Sequence, residues 1–242
     1  MYSIKTDKLT KKYKDLTATD GLDLSVEHGE LFALLGVNGA GKTTAIKMLS
    51  CLTLPTSGSA SVGGYDVITE SHRVKEIIAV SPQESAIALN LSVRENLEFI
   101  CGIHGFSKEK ADEKLTEISH RLGLDEILDK RASKLSGGCQ RRLSIAMALI
   151  SEPGVLFLDE PTLGLDVISR SELWDIIRSL KGNTTILLTT HYMEEAVALS
   201  DRIGIMANGR LLTVGTAEQI MKMTSADRFE DAFVSIVKEA LK

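Results

Sequence analysis

The sequence lacks the features of several large classes of protein. Its 242 residues include only three cysteines, an odd number without metal-ligand spacing, which indicates a reducing compartment rather than a disulfide framework. It has no basic excess: the formal net charge is −5, which argues against a nucleic-acid-binding protein. The start lacks the apolar core of a signal peptide, and no apolar run approaches the roughly 18 residues that cross a bilayer. If this protein works at a membrane, we expect another chain to cross it.

Low-complexity linkers and internal repeats are also absent, so the organisation is inferred from changes in the hydrophobic pattern. In residues 1–83, short apolar runs alternate with glycine and aspartate, and "LFALL" at 31–35 is apolar throughout, as is typical of a strand covered on both faces. From 84 to 152 the period becomes helical. From 153 strands and helices alternate again, which predicts a parallel sheet with right-handed crossovers. The predicted fold class is α/β, with a helical insertion in the core.

Three local patterns predict individual elements. "LDLSV" at 22–26 alternates strictly between apolar and polar residues, which predicts one half-buried strand. Ser92 followed three residues later by Glu95 predicts a capping box at the start of a helix. Asn208 and Gly209 separate two apolar runs and predict a hairpin with a type I′ turn.

A glycine-rich loop predicts a phosphate site. "GVNGAGKT" at 36–43 fits the pattern G-x-x-x-x-G-K-[ST], and it follows a predicted buried strand and precedes a helix, as this motif requires. Its glycines let backbone amides surround a β-phosphate, while Lys42 reaches the β and γ oxygens and the Thr43 hydroxyl binds Mg²⁺. The predicted nucleotide-binding residues here are Gly36, Asn38, Gly39, Ala40, Gly41, Lys42, Thr43 and Thr44.

Two carboxylates follow a second predicted buried strand. "VLFLDE" at 155–160 ends at the carboxyl edge of the sheet, where ligands of open α/β sheets bind. Asp159 is predicted to hold Mg²⁺, usually through water. Glu160 is free to accept a proton from an attacking water, a task worth roughly 10²–10⁴ in rate. Because an Asp-Glu pair at a strand end is common, the phosphate loop is what gives this pair its significance.

A histidine and a glutamine are predicted at the same edge. "ILLTTH" at 186–191 ends a further buried strand with His191, and Gln83 follows another strand where the core meets the helical insertion. An amide at that point can contact Mg²⁺ or the attacking water. Alone, a single histidine is more often structural, and Gln83 would be an ordinary loop residue. Beside the phosphate loop, both become catalytic candidates, and Gln83 becomes a metal-ligand candidate as well.

This constellation resembles the nucleotide-binding domain of ABC transporters over nearly the whole chain. The matching segments are "GVNGAGKTT" (Walker A), "VLFLDE" (Walker B), Gln83 (Q-loop), "LSGGCQRR" at 135–142 (signature), "LGLD" at 163–166 (D-loop) and His191 (switch histidine). The signature is the most specific of these, because other phosphate-loop ATPases lack it. The resemblance also implies that Tyr13 is the aromatic residue that stacks on adenine.

The resemblance implies the architecture. It is a P-loop NTPase core with a mainly parallel sheet, an N-terminal antiparallel β portion and an inserted α-helical subdomain. The implied boundaries are 1–83 and 153–225 for the discontinuous ATP-binding core and 84–152 for the helical subdomain with the signature, with 226–242 as a C-terminal helix.

The resemblance also implies partners. Such domains dimerise head to tail, so Ser136, Gly137 and Gly138 would contact the γ-phosphate held by the other subunit's Walker A loop. The implied partner is a second nucleotide-binding domain, either an identical copy or a close paralogue. The implied cofactors are ATP and Mg²⁺.

The sequence departs from the family pattern at two positions. Cys139 stands where the family usually has glutamine, and Val37 where it often has proline. We expect activity to survive, because the serine hydroxyl and glycine amides remain.

Two later segments narrow the resemblance. "HYMEEAVALSDRIGIM" and "FEDAFVSIVKEALK" are similar to ATPase subunits of exporters for drugs, lipids or polysaccharides, whose permease is a separate polypeptide. The implied partner is a polytopic membrane permease, which would hold this chain at the cytoplasmic face of the cell membrane and set substrate selectivity. Two alternatives stay open at this point: a soluble ABC-type ATPase acting on ribosomes or DNA, and a nucleotide sensor that binds without hydrolysing.

Overall fold

The computed structural model describes residues 2–240, which form two β-sheets and the helices around them. The strands are β1 (Tyr2–Tyr13), β2 (Leu16–Leu22), β3 (Ser25–Glu27), β4 (Leu31–Gly36), β5 (Ser57–Val62), β6 (Tyr65–Asp66), β7 (Ile78–Ser81), β8 (Val155–Asp159), β9 (Thr185–Thr190), β10 (Arg202–Ala207) and β11 (Arg210–Gly215). The α-helices are α1 (Lys42–Leu49), α2 (Ser71–Ile77), α3 (Val93–Ile103), α4 (Lys108–Arg121), α5 (Gly137–Leu149), α6 (Val167–Ser179), α7 (Met193–Leu199), α8 (Ala217–Thr224) and α9 (Phe229–Ala240).

The larger sheet has the strand order β11-β10-β4-β9-β8-β7. Its neighbouring strands run parallel except β11, which pairs antiparallel with β10. Every residue of β4, β8 and β9 is buried, as strands covered on both faces should be. The carboxyl ends of these parallel strands therefore meet at one edge, and the predicted α/β fold with a mainly parallel sheet is confirmed.

The smaller sheet is antiparallel and N-terminal, as the resemblance implied. Its order is β2-β1-β5-β6, and β3 also pairs with β1. Residues 22–26 do not form the single strand that their alternation predicted. Leu22 ends β2 and Ser25 begins β3. Between them, side chains take part in the hydrogen bonding to β1: the Thr6 hydroxyl donates to the Leu22 carbonyl and accepts from the Leu24 amide, and Asp23 accepts from the Lys8 amide at 2.7 Å. The apolar face was predicted correctly, since Leu22, Leu24 and Val26 are all buried.

Two hydrophobic clusters cover the two faces of the parallel sheet. Leu31 and Leu35 of β4 belong to a cluster shared with α3 to α7. Phe32 and Leu34 belong to the other, which α1 and the antiparallel sheet complete. This alternation along one strand explains why "LFALL" is apolar throughout. Among residues 2–240, no helix combines the length and hydrophobicity that a membrane span requires.

The local predictions for caps and turns are confirmed. Ser92 and Glu95 form a reciprocal capping box at the start of α3. Asn208 and Gly209 have φ values of +49° and +78°, as both central residues of a type I′ turn must. The helices α3, α4 and α5 lie between β7 and β8 in the chain, inside the predicted helical range 84–152, although the division into subdomains stays a prediction. The ends of the predicted ranges, residues 1, 241 and 242, lie outside the described residues.

Candidate functional site

A cleft of about 560 Å³ lies at the carboxyl edge of the parallel sheet. Of the residues predicted from the sequence, it brings together Asn38, Gly39, Ala40, Gly41, Lys42, Thr43, Thr44, Gln83, Glu160 and His191. Sequence reasoning missed four further lining residues, Leu16, Thr17 and Ala18 of β2 and Asn208 of the hairpin turn. The sequence predicted only that Asn208 lies in a turn, and nothing in it indicated that this turn borders the cleft.

The phosphate loop is packed so closely that two of its glycines have no room for a side chain. A Cβ on Gly41, whose φ is +100°, would lie 2.3 Å from the carbonyl oxygen of Ala18. A Cβ on Gly36 would lie 2.4 Å from the carbonyl oxygen of Met206. The loop is therefore clamped between β2 and β10, with the amides of its glycine-rich turn available to a ligand.

Lys42 is buried and fully hydrogen-bonded. Its Nζ donates to the carbonyl oxygens of Gly36 at 2.7 Å and Val37 at 3.3 Å, and lies 3.1 Å from Oε1 of Glu160. An ammonium group has three hydrogens to donate, and here each has an acceptor. An incoming phosphate must therefore replace one of these acceptors, and the Glu160 carboxylate is the one carried by a side chain.

Glu160 joins Lys42 to His191. Its Oε2 lies 2.5 Å from Nδ1 of His191, and its side chain is only 7% exposed. The Glu160 backbone has a φ of +49°, a conformation that costs a non-glycine residue on the order of 1–3 kcal/mol. Its amide donates to Thr189. This strained, anchored backbone directs the carboxylate into the cleft.

Asp159 lies beside this group and is held by hydroxyls. Thr43 Oγ1 donates to Asp159 Oδ1 at 3.1 Å, and Thr189 Oγ1 donates to the same oxygen at 2.5 Å. Residues 2–240 contain no cluster of three or more histidine, cysteine or acidic side chains arranged for a metal. One carboxylate and one hydroxyl fit Mg²⁺, which is usually bound through one or two carboxylates plus substrate phosphates and water.

Two residues that hold this edge together were missed. Thr189 is opposite Asp159 in the parallel ladder of β8 and β9. Arg141 is 5% exposed and donates to the carbonyl oxygens of Pro82, Asp159 and Pro161. Burial lowers the pKa of Arg141 to about 10. Arg141 ties α5 to the ends of β7 and β8, and its position directly after "LSGGCQ" was the only sequence signal for it.

The signature residues lie outside the cleft of their own chain. Ser136 caps α5 by accepting a hydrogen bond from the Cys139 amide at 3.2 Å, and both Ser136 and Gly137 are exposed. Gly138 is buried, and a Cβ there would lie 2.7 Å from Oγ of Ser169. Glycine is therefore required at position 138 because α6 packs against it and leaves no room for a side chain. The nucleotide-binding role of these three residues stays a prediction.

Tyr13 also lies outside the residues that line the cleft. It ends β1, the residue is 44% exposed, and Nζ of Lys11 is 5.0 Å from the ring centroid. Its ladder partner is Leu16, which does line the cleft. The adenine-stacking role implied for Tyr13 therefore stays a prediction, with Leu16 the nearer apolar surface.

The thiol of Cys139 is more acidic than an ordinary thiol. Burial acts to raise the pKa of Cys139, but hydrogen bonds with Ser136 and Arg142 outweigh it, and the pKa is lowered. Burial raises the pKa of Cys51 and Cys101. Because the thiolate is the reactive form, we expect iodoacetamide at neutral pH to alkylate Cys139 first. Peptide mass spectrometry over time measures this, with Cys139→Ser removing the fast phase. Faster labelling of Cys51 would contradict it.

A phosphate loop after a buried strand, with carboxylates at the end of a neighbouring strand, defines a phosphate-loop nucleotide-binding α/β domain. The model of the ABC transporter family matches residues 19–163. The daunorubicin resistance ATP-binding protein DrrA3 of Streptomyces coeruleorubidus is 43% identical over 229 residues, which are 94% of this chain and 72% of DrrA3. This chain belongs to the ABC transporter family, as the resemblance of its motifs predicted.

Two further comparisons agree. The phospholipid-transporting ATPase ABCA3 of Homo sapiens is 42% identical over 218 residues, 88% of this chain but only 13% of that protein. The solved structure of an ATP-binding subunit of an ABC transporter matches with a TM-score of 0.85 and 26% identity, covering 96% of this chain and 98% of that one. The match to ABCA3 is therefore to one part of a much longer protein. The chain corresponds to the ATP-binding part of an ABC transporter.

Proposed function

We propose that this chain hydrolyses ATP and thereby powers transport through a separate membrane permease. The observation that carries the proposal is the position of Glu160, which contacts the phosphate-loop lysine with one oxygen and His191 with the other. A general base must lie next to both the phosphate site and a group that orients it. Glu160 meets both conditions within one cleft.

The residues of the cleft have separate roles in the proposed hydrolysis. The loop amides and Lys42 bind the phosphates of ATP, and Lys42 exchanges its contact with Glu160 for phosphate oxygens. Glu160 then keeps its hydrogen bond with Nδ1 of His191, which holds the carboxylate in place while it accepts the proton of the attacking water. Gln83 lines the same cleft, where its side-chain amide would contact the attacking water or the metal ion. Mg²⁺, held by Thr43 and Asp159, would neutralise charge that develops on the phosphates.

The same geometry favours hydrolysis over the sensor alternative. A protein that only binds ATP has no use for a strained backbone that directs a buried carboxylate at the phosphate site. Steady-state ATP hydrolysis by the purified chain with Mg²⁺ tests this. Turnover that depends on Mg²⁺ is the expected result. Tight ATP binding with no turnover, in the presence of a second copy at high concentration, would favour the sensor.

We also propose that the active form is a head-to-tail dimer, with a second copy or a close paralogue. Ser136 and Gly137 are exposed at the start of α5 and outside their own cleft, which is where a site shared with another subunit needs them. Val167 and Ile168, just after the D-loop segment, are 79% and 73% exposed. A partner subunit that covers them would remove apolar surface from water.

The transport partner is proposed from the relatives. DrrA3 is named for daunorubicin resistance and ABCA3 for phospholipid transport. These names support export of a drug or lipid, with this chain at the cytoplasmic face of the membrane. We propose that the helical subdomain 84–152 receives the permease and that Gln83 links its motion to the phosphate site. Co-purification tests the partner: a polytopic membrane protein supports a transporter, whereas ribosomes or DNA would support the soluble alternative.

The shared site predicts complementation between two inactive chains. Ser136→Arg should leave ATP binding by the monomer intact but block the approach of the other subunit, and Lys42→Ala should lose the phosphate lysine. In a mixed dimer, the Walker A loop of the first and the signature of the second rebuild one intact site. We expect the mixture to regain ATP-driven dimerisation on size exclusion, and some turnover unless two working sites are obligatory.

Concentration provides the control for this experiment. Turnover per wild-type molecule should rise with protein concentration, as mass action requires of a dimeric catalyst. Turnover that is independent of dilution, together with a monomer on size exclusion, would mean that the signature does not act on another subunit.

A further inference from the structure

A buried carboxylate behind the cleft has no role in the mechanism above. Glu195, on α7, is 0% exposed. Its Oε1 accepts hydrogen bonds from Oγ1 of Thr162 at 2.8 Å and from Nε1 of Trp174 at 3.1 Å. Its Oε2 has no hydrogen-bond partner within the part of the chain that the structure describes. Oε1 of Glu195 thus accepts from both Thr162 and Trp174.

These contacts join three segments that meet at the site. Thr162 follows Glu160 by two residues, at the turn after β8. Glu195 follows His191 by four residues and lies in the first turn of α7. Trp174 belongs to α6, the helix that begins directly after the D-loop segment 163–166. Glu195 therefore connects the segment after Glu160, the helix after His191 and α6, the helix that begins with the exposed residues Val167 and Ile168.

The burial of Glu195 is costly. Desolvation raises the pKa of Glu195, the hydroxyls of Thr190 and Thr162 and the indole of Trp174 only partly offset this, and the charge of Glu160 adds to the increase. A leucine of similar volume would avoid the penalty, because a buried ionisable group is often less stabilising than a well-packed apolar one. A costly group in contact with two site segments indicates a task other than stability.

We propose that Glu195 is a positioning residue, which through Thr162 holds the segment after Glu160 in register with the helix that follows His191, and through Trp174 ties both to α6. This inference rests on the proposed hydrolysis. Its role is that of a hydrogen-bond acceptor through Oε1, so the negative charge is not required. Glu195 itself touches neither Glu160 nor a substrate.

Three variants separate positioning from bulk stability. Glu195→Ala removes the acceptor, Thr162→Val removes the donor hydroxyl at nearly constant shape, and Glu195→Gln keeps an amide oxygen in the place of Oε1. We expect Glu195→Ala and Thr162→Val to lower kcat about 10- to 100-fold while the KM for ATP stays within about threefold, because small displacements of catalytic groups cost rate rather than binding. Glu195→Gln should stay within about threefold of wild type in both constants. The exposed neighbour Glu194→Gln is the matched control.

The single tryptophan of the chain adds a spectroscopic readout. In the proposed mechanism ATP displaces Glu160 from Lys42, and Thr162 and Glu195 link the segment of Glu160 to Trp174. The emission of Trp174 should therefore respond to ATP in the wild type, in Glu195→Gln and in Glu194→Gln. The response should be lost or reduced severalfold in Glu195→Ala and in Thr162→Val. Loss of packing alone would change the emission without nucleotide, but would not remove the response to ATP selectively.

The outcomes distinguish this inference from the proposed function. If the wild type hydrolyses no ATP, the proposed function fails, and the emission response still decides the inference. If wild-type turnover is present and Glu195→Ala and Thr162→Val keep it, Glu195 does not position the site. If Glu195→Gln loses as much kcat as Glu195→Ala, the charge is required and the acceptor role is wrong. If Glu195→Ala does not fold, the comparison of Thr162→Val with Glu195→Gln tests the same inference: the first should lose kcat and the emission response, and the second should keep both.

Discussion

Glu160→Gln should lower ATP hydrolysis by about 10²–10⁴-fold while ATP still binds. The amide has the shape of the carboxylate and can still accept from Nδ1 of His191, but it cannot take a proton from water. It also weakens the hold on Lys42, which is 3.1 Å from the carboxylate, so the lysine becomes more available to phosphate. We therefore expect an ATP-bound dimer to accumulate on size exclusion.

Two controls make this result specific. Glu113→Gln changes an exposed glutamate on α4 and should leave turnover unchanged. Thermal unfolding of Glu160→Gln should show a moderately lower unfolding temperature, because the buried Lys42 ammonium loses its carboxylate partner, and turnover must therefore be measured well below that temperature. Near-wild-type turnover by Glu160→Gln would place the base elsewhere, with His191 the next candidate.

Lys42→Ala should weaken ATP binding by about 30- to 3,000-fold, because truncating one partner of a buried, hydrogen-bonded charge pair costs roughly 2–5 kcal/mol. Lys42 is the only side-chain cation in the loop at 36–43. Isothermal titration calorimetry of the purified chain with ATP measures the dissociation constant directly. An unchanged constant would refute the phosphate-binding role of Lys42.

The matched control for Lys42→Ala lies on the same helix. Lys47, in the last turn of α1, is exposed, and Lys47→Ala should bind ATP as the wild type does. Lys42→Ala also leaves the buried Glu160 carboxylate without its cation. We therefore expect a lower free energy of unfolding, and calorimetry must be carried out well below the unfolding temperature of this variant.

Much of the site was predictable because each motif was attached to the end of a buried strand. Lys42, Glu160 and His191 follow β4, β8 and β9, and parallel strands bring their carboxyl ends to one edge. That single rule places residues more than a hundred positions apart in one cleft. It needs only the apolar runs and their polar ends, both of which are visible in the sequence.

The rest depended on relations that a sequence does not contain. The contact of Thr189 with Asp159 requires the register of β9 against β8. The contact of Glu195 with Trp174 requires the packing of α7 against α6, and in the sequence both residues have the ordinary pattern of amphipathic helices. The break in the strand predicted at 22–26 coincides with side-chain hydrogen bonds of Thr6 and Asp23 that link this segment to β1. In each case tertiary contact, rather than local pattern, decides.

The strand that carries the phosphate loop is paired on both sides by late parts of the chain. β4 ends at residue 36, but its neighbours are β9 at 185–190 and β10 at 202–207. During synthesis on a ribosome, the loop therefore emerges long before either neighbour exists. At about 5–20 residues per second, that interval is on the order of ten seconds. During that interval the apolar segment of β4 has no strand partner on either side. We therefore expect chaperones to bind the nascent chain at the segment that later holds the nucleotide.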